Sequence, residues 1–341
     1  MDIYFFQWVS DLGGADTRLK DLIKLFSSKK EYKIYSIPND DGRFSEKHNI
    51  DFFKKYNVTT LKWSDLPKKM EGVGISFCNF RLFSENWRIK KIKDSGLKFI
   101  WSNDMTWHTD EEMQAIKNGF IDVYLYTSEF HKSVLHNDII EKYSKNFIIS
   151  NYFDVDSYSF FPRESNDFLS IGKHSRPDHL KFSDDFPLFY SNLEIKNPKY
   201  KIMGIPNDFK VRFNNFDFDS RWELLKPNEK SSENFLKQLD LYIYNSHPKF
   251  IENQSRSIIE ALLNGVPVLV PNKYNFPNQI VHQENGFLCD SYEDFKKYTK
   301  LLENNSLLRK EMGIKAHALT KSKWCDKNKN LNDWDNIFRT I

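Results

Sequence analysis

The chain has 341 residues, a length that favours about two domains. Aromatic residues make up 16% of it, with 30 Phe, which is ample core material and argues against a disordered chain. Charged residues make up 28% and nearly cancel, and the formal net charge of +3 is too mild to mean nucleic acid by itself. Cys78, Cys289 and Cys325 lie far apart with no CxxC pair, as expected of reduced, packed thiols in a cytoplasmic protein. The opening MDIYFFQWVSDLGG has no basic leader region or long apolar stretch, so no signal peptide is expected. No window approaches the roughly 20 apolar residues of a membrane span.

Short apolar runs alternate with helical patterns from end to end, as parallel α/β sheets demand. In the first half the expected strands are DIYFFQW, GISFCNF, LKFIWSN, DVYLYTS and NFIISNY, with helices over 17–25, 84–93, 110–118 and 129–136. The polar, turn-rich run DVDSYSFFPRESND at 154–167 reads as the interdomain linker. A second alternation follows, with strands DFLSIG, YKIMGI, LDLYIYNS, VPVLVPN and a short GFLC. Its helices fall near 235–239, 255–264, 292–302 and 306–320, and the tail places Leu331, Trp334, Ile337 and Phe338 at helical spacing. The expected fold is α/β: two Rossmann-like, doubly wound domains, 1–158 and 159–324, facing across a cleft. The segment 325–341 is expected to be a helix that packs back on the first domain.

The run IENQSRSIIEALLNGVPVLV sets Glu252 just before a helix starting near Ser255, and Glu260 inside that helix. Free N–H groups and the dipole at a helix start suit a phosphate or diphosphate. Carboxylates beside such a site repel phosphate and suit sugar hydroxyls. The spacing alone fits equally a solvated loop acid and a helix-surface acid. Gly13 and Gly14 follow the first strand and precede a helix. They either let a phosphate or sugar approach the backbone or form a plain turn, and Asp16 then begins the helix.

These residues carry a resemblance. Glu252, seven residues, Glu260, then ALLNGVPVLVP and ENGFLCD resemble the nucleotide-binding core of retaining, family-4-type (group 1) glycosyltransferases of GT-B fold. LSIGKHSRPDHLKF, LYTSEFHKSVL, NYFDVDSYSFFP and SDLGGADTRLKDLIKLF are similar to further segments of that family, in its order. The resemblance implies that Glu252 binds hydroxyls of a donor sugar and Glu260 the ribose of its nucleotide. Arg176 and Lys181 would neutralise the diphosphate leaving group, with Lys173 as a further candidate. Gly13, Gly14 and the helix-start residues Ser255, Arg256 and Ser257 complete the implied donor site. Asp104 is the expected site residue of the first domain, near Asn103 and His108, and the implied catalytic set is Asp104, Arg176, Lys181 and Glu252. Two departures stand out: Ser255 where many members have Gly, and Lys173 where Arg is commoner. Ser255 is still expected to cap the helix and offer an amide to phosphate.

The implied activity is hexosyl or pentosyl transfer from a nucleotide-sugar, such as a UDP- or GDP-sugar, to an acceptor hydroxyl with retention. The nucleotide-sugar is a substrate, and no cofactor is expected. No metal is expected either, although Asp154-Val-Asp156 and Asp217-Phe-Asp219 read Asp-x-Asp, the manganese signature of the other major glycosyltransferase fold. No GxGxxG follows a strand, which disfavours a nicotinamide enzyme. Residues 43–98 carry 13 Lys/Arg against 6 Asp/Glu, densest in RIKKIK at 88–93. An acidic acceptor fits this excess, first a glycan or lipid-linked glycan at a membrane surface. The alternative is a hydroxylated base in DNA, such as hydroxymethyl, as in phage base-glucosylating enzymes. Phe77, Phe80, Phe83 and Trp87 would then handle the base, although the same residues read as core. A nucleotide-sugar binder without transfer, or an epimerase, is the reading from another class. The expected location is cytoplasmic, with a peripheral place at the inner membrane face as the alternative.

Overall fold

The computed structural model describes residues 1–10, 13–162 and 167–341. The chain divides into two compact units, Met1–Asp154 with Asp326–Ile341, and Val155–Cys325. The expected linker at 154–167 and the glycine loop beginning at Ser10 run partly through residues 163–166 and 11–12, outside the described residues.

The first unit holds β1 (Asp2–Phe5), β2 (Lys33–Ser36), β3 (Val58–Thr60), β4 (Val73–Phe77), β5 (Lys98–Ser102), β6 (Val123–Tyr126) and β7 (Lys145–Ile148). They form one parallel sheet in the order β3-β2-β1-β4-β5-β6-β7. The second unit holds β8 (Leu169–His174), β9 (Pro198–Met203), β10 (Trp222–Leu225), β11 (Leu241–Ile243), β12 (Val268–Pro271) and β13 (Gly286–Cys289). Their order is β10-β9-β8-β11-β12-β13, again all parallel. Both sheets thus follow the doubly wound 3-2-1-4-5-6 order, which reverses between β1 and β4 and between β8 and β11. Such reversal points open a ligand-binding crevice at the carboxyl ends of the strands.

The central strands match the expected runs because a parallel strand buried on both faces reads as a continuous apolar stretch. β4 is buried along its whole length, as are β6 and β8. The reading missed β2, β3 and β10. Their segments KIYS, VTT and WELL are three or four residues long, and each mixes buried with half-buried or exposed positions. Alternation along β1 splits the first core in two: Ile3 and Phe5 belong to one cluster, Tyr4 and Phe6 to the other. The C-terminal helix Lys327–Arg339 adds Leu331, Trp334 and Ile337 to the first of these clusters. Trp334 meets Phe26 edge-on at 5.4 Å, and Asp335 accepts hydrogen bonds from Lys29 and Tyr32.

In the second unit the helix Arg256–Leu263 is buried at every position but Ser257. Gly265, at φ +73°, follows its C-cap Asn264, the left-handed site that favours glycine. A Cβ on Gly313 would approach the Gly265 carbonyl oxygen to 2.4 Å, so the bare glycine is what lets the helix Ser306–Trp324 pack so closely here. This contact fixes the helix that carries Glu260. Among the described residues no helix is long and apolar enough to cross a membrane.

Candidate active site

In the second unit, residues from the carboxyl ends of β8 and β11 meet those at the start of the helix Arg256–Leu263. Glu252 is 6% exposed and accepts from Lys181 Nζ at 2.8 Å and from the Tyr244 hydroxyl. Lys181 also donates to Tyr244 Oη at 3.1 Å and lies over the Phe250 ring at 3.8 Å. Burial pushes the Lys181 ammonium below the usual lysine range, while the charge and hydrogen bond of Glu252 pull the other way.

Glu260 faces His174 Nε2 at 3.0 Å and Arg256 Nε at 3.7 Å, and accepts from the Tyr158 hydroxyl at 3.5 Å. Burial raises this carboxyl, but the His174 hydrogen bond, with the charges of His174 and Arg256, outweighs it and holds the pKa below the usual range. At neutral pH Glu260 is therefore an ionised acceptor. His174 Nδ1 and Ser175 Oγ are buried atoms at this end of β8 with no hydrogen-bond partner among the described residues.

The other expected donor-site residues are placed differently. Lys173 is fully buried; its Nζ donates to the main-chain carbonyls of Asn245, at 2.8 Å, and of Lys181, and lies 4.5 Å from the Tyr244 ring centre. It thus ties the Lys181 and Asn245 backbones together. Arg176 is exposed and pairs with Asp178 at 2.9 Å. Ser255 corrects the capping expectation. It is the N-cap residue, but its side chain makes no capping bond, and its amide donates to Gln279 Oε1 at 3.3 Å. The Ser255 and Ser257 hydroxyls lie 3.1 Å apart.

In the first unit Gly13 has φ +95° and a Cβ there would meet nothing within 4 Å, while Gly14 opens the helix Gly14–Phe26. Asp16 accepts from Gln7 at 2.9 Å. Asp104 adopts φ +52°, uncommon for a residue other than glycine. Its carboxylate is held by Arg18 at 2.7 Å, itself 1% exposed, and by the Ser102 hydroxyl. Asn103 and His108 both bond to the fully buried Glu112, at 2.8 Å and 3.2 Å. Of RIKKIK, Arg88 and Lys91 turn inward to Asn39 and to the Trp63 carbonyl. Phe77 and Phe83 are core residues, 1% exposed, so they are not a base-handling surface. Asp154 pairs with Lys24 at 2.8 Å and Asp219 with Arg221 at 2.7 Å.

His108 gives a pH prediction. Burial lowers its pKa, but bonds to Glu112 and the Leu135 carbonyl and the Glu112 charge outweigh this and raise it above the ordinary value of 6.5. The folded state thus holds this proton more tightly. The gain is complete below the unfolded pKa and is lost as pH rises through the folded one. Urea denaturation followed in the first unit should show a stability increment that is full in mild acid, fades as pH rises past the ordinary histidine value of 6.5, and is missing from His108→Gln. His131, whose pKa burial lowers with a smaller contribution from His108, acts in the opposite sense.

Sequence reading missed His174, Tyr244, Tyr158, Arg18 and Glu112. Only Glu112 carried a local signal, the Thr109-x-x-Glu112 capping box that starts the helix Asp110–Lys117.

Residues 223–318 match the family model described as glycosyl transferases group 1. A search of curated protein sequences found no significant match. Among solved structures, Anabaena Alr3699/HepE in complex with UDP-glucose is similar at 13% identity over 99% of each chain, with a TM-score of 0.74. Sucrose-phosphate synthase from Thermosynechococcus elongatus is similar at 10% identity over 100% of each chain, TM-score 0.72. The lipopolysaccharide outer core galactosyltransferase WaaB in its apo form is similar at 15% identity over 100% of each chain, TM-score 0.65. Residues 223–318 therefore carry the group 1 glycosyl transferase match, within a chain that has the two-domain α/β GT-B fold of these enzymes.

Proposed function

We propose that the chain transfers a sugar from a nucleotide-sugar, a UDP-sugar first, to a glycan or lipid-linked glycan hydroxyl with retention at the anomeric carbon. The observation that carries the reading is the pairing of Glu252 with Lys181 and of Glu260 with His174 and Arg256, around one helix start. Lys181, with Arg176 at the rim, supplies positive charge for the leaving diphosphate. Glu252 takes hydroxyls of the donor sugar, and Glu260, ionised at neutral pH, takes the ribose. The bond from the anomeric carbon to phosphate breaks as the acceptor oxygen attacks on the same face, and the departing phosphate oxygen takes the acceptor proton. No side chain need act as nucleophile, and no cofactor or metal enters the step. HepE was solved with UDP-glucose and WaaB is named a lipopolysaccharide galactosyltransferase, which supports this choice of donor and acceptor class. The DNA reading loses ground because part of its basic and aromatic surface is turned inward.

The test is release of free nucleotide from a panel of UDP- and GDP-sugars, with and without saccharide acceptors. Release that rises on adding an acceptor is expected. Binding without release would make the chain a binder, and sugar conversion without release would make it an epimerase.

A further inference from the structure

The proposed donor chemistry leaves unused the tryptophan of the loop 103–108, at the carboxyl end of β5. Trp107 is 48% exposed. Isolated exposed aromatics are ordinary, but this one is held in place. Its ring stacks on Phe80 at 5.4 Å with 17° between the planes, and Phe80 rests edge-on against the buried Trp101 at 5.6 Å. The loop is anchored along its length. Asn103 Nδ2 donates to the Trp107 carbonyl at 2.8 Å, His131 Nε2 lies 2.8 Å from the Met105 carbonyl, and His108 Nε2 lies 2.9 Å from the Leu135 carbonyl. Asp104, with its positive φ and its bond to Arg18, lies on the same loop. Exposure here does not come from a loose chain: a braced segment presents one indole face while Phe80 backs the other.

A flat apolar face suits a saccharide ring, whose C–H face is apolar and whose rim keeps its hydroxyls in water. A nucleobase would also stack. Its strand brings phosphates, however, and the segment continues with Asp110 and Glu111, both exposed, which repel them. We infer that Trp107, backed by Phe80, is a stacking platform for a sugar ring of the acceptor. This rests on the proposed glycosyl transfer and adds where and how the acceptor is recognised.

The experiment uses the full chain labelled with 5-fluorotryptophan, the Trp107 fluorine signal being the one missing from Trp107→Phe. Methyl glycosides and short oligosaccharides are titrated in. At least one saccharide should move the Trp107 signal saturably while that of Trp87, equally exposed, stays in place. Trp107→Ala should weaken that saccharide about tenfold or more, the equivalent of about 1.4 kcal/mol, and Trp107→Phe less. The other seven tryptophan signals report an intact fold, and affinity for UDP-glucose should be unchanged in both variants. A signal moved by a thymidine oligonucleotide and by no saccharide, or moved by nothing, overturns the inference. Failure of the wild type to bind any nucleotide-sugar would instead overturn the donor reading and leave a saccharide-dependent shift at Trp107 standing.

Discussion

Glu252→Gln is expected to lower sugar transfer by about 10²-fold or more while nucleoside diphosphate binding survives. Glutamine keeps the shape of glutamate but has one acceptor oxygen in place of two, and no charge. The Tyr244 hydroxyl and Lys181 ammonium both bond to the Glu252 carboxylate, so its position is set before any ligand arrives. With the carboxylate neutralised, Lys181 is freed for the diphosphate, and affinity for UDP should hold or rise. The two effects therefore separate: kcat falls and the UDP dissociation constant does not increase. Lys181→Met should do the reverse first, weakening UDP by removing the cation that meets it. Turnover near the wild-type rate in Glu252→Gln would remove this residue from the sugar site.

The largest stability effect is expected at Glu112, outside the donor site. Its carboxylate is fully buried and accepts from Trp101 Nε1 at 2.7 Å, Asn103 Nδ2 at 2.8 Å and the Tyr124 hydroxyl at 3.1 Å, and it faces His108 Nδ1 at 3.2 Å. Glu112→Ala leaves these buried donors without an acceptor and removes half of the capping box with Thr109. Breaking a buried, charged network of this kind costs about 3–5 kcal/mol. Urea denaturation followed by the tryptophans of the first unit should show that loss, with Glu112→Gln losing less. A change under about 1 kcal/mol would mean that the donors find other partners. Because Asn103 and His108 bound the loop that presents Trp107, the alanine variant should also loosen the Trp107 signal. Donor binding in the second unit should be left alone.

How much of this was legible depends on the range of the forces involved. Central strands announce themselves by mostly apolar runs, whereas β2, β3 and β10 are recognised only by the neighbours they pair with. Glu252 and Glu260 were readable through the family resemblance, since their spacing alone fits a loop acid and a helix-surface acid as well. Their partners were not: His174 reaches Glu260 across 86 residues of sequence and Lys181 reaches Glu252 across 71. Arg18 likewise reaches Asp104 across 86 residues. Charge counting overstates the exposed charge of RIKKIK, because it does not see that Arg88 and Lys91 bond inward to Asn39 and the Trp63 carbonyl. Ser255 shows the same limit at a helix start, where tertiary contact with Gln279 takes the amide that local rules would offer to a ligand.

A nucleotide-sugar is expected to bind at the carboxyl ends of β8 and β11 in the second unit. Amide hydrogen exchange with and without UDP-glucose tests it most directly. Exchange should slow in peptides spanning 173–182 and 245–260, with a smaller or absent effect on those segments in Lys181→Met. Ligand-saturated protein with unchanged exchange in both segments would contradict it.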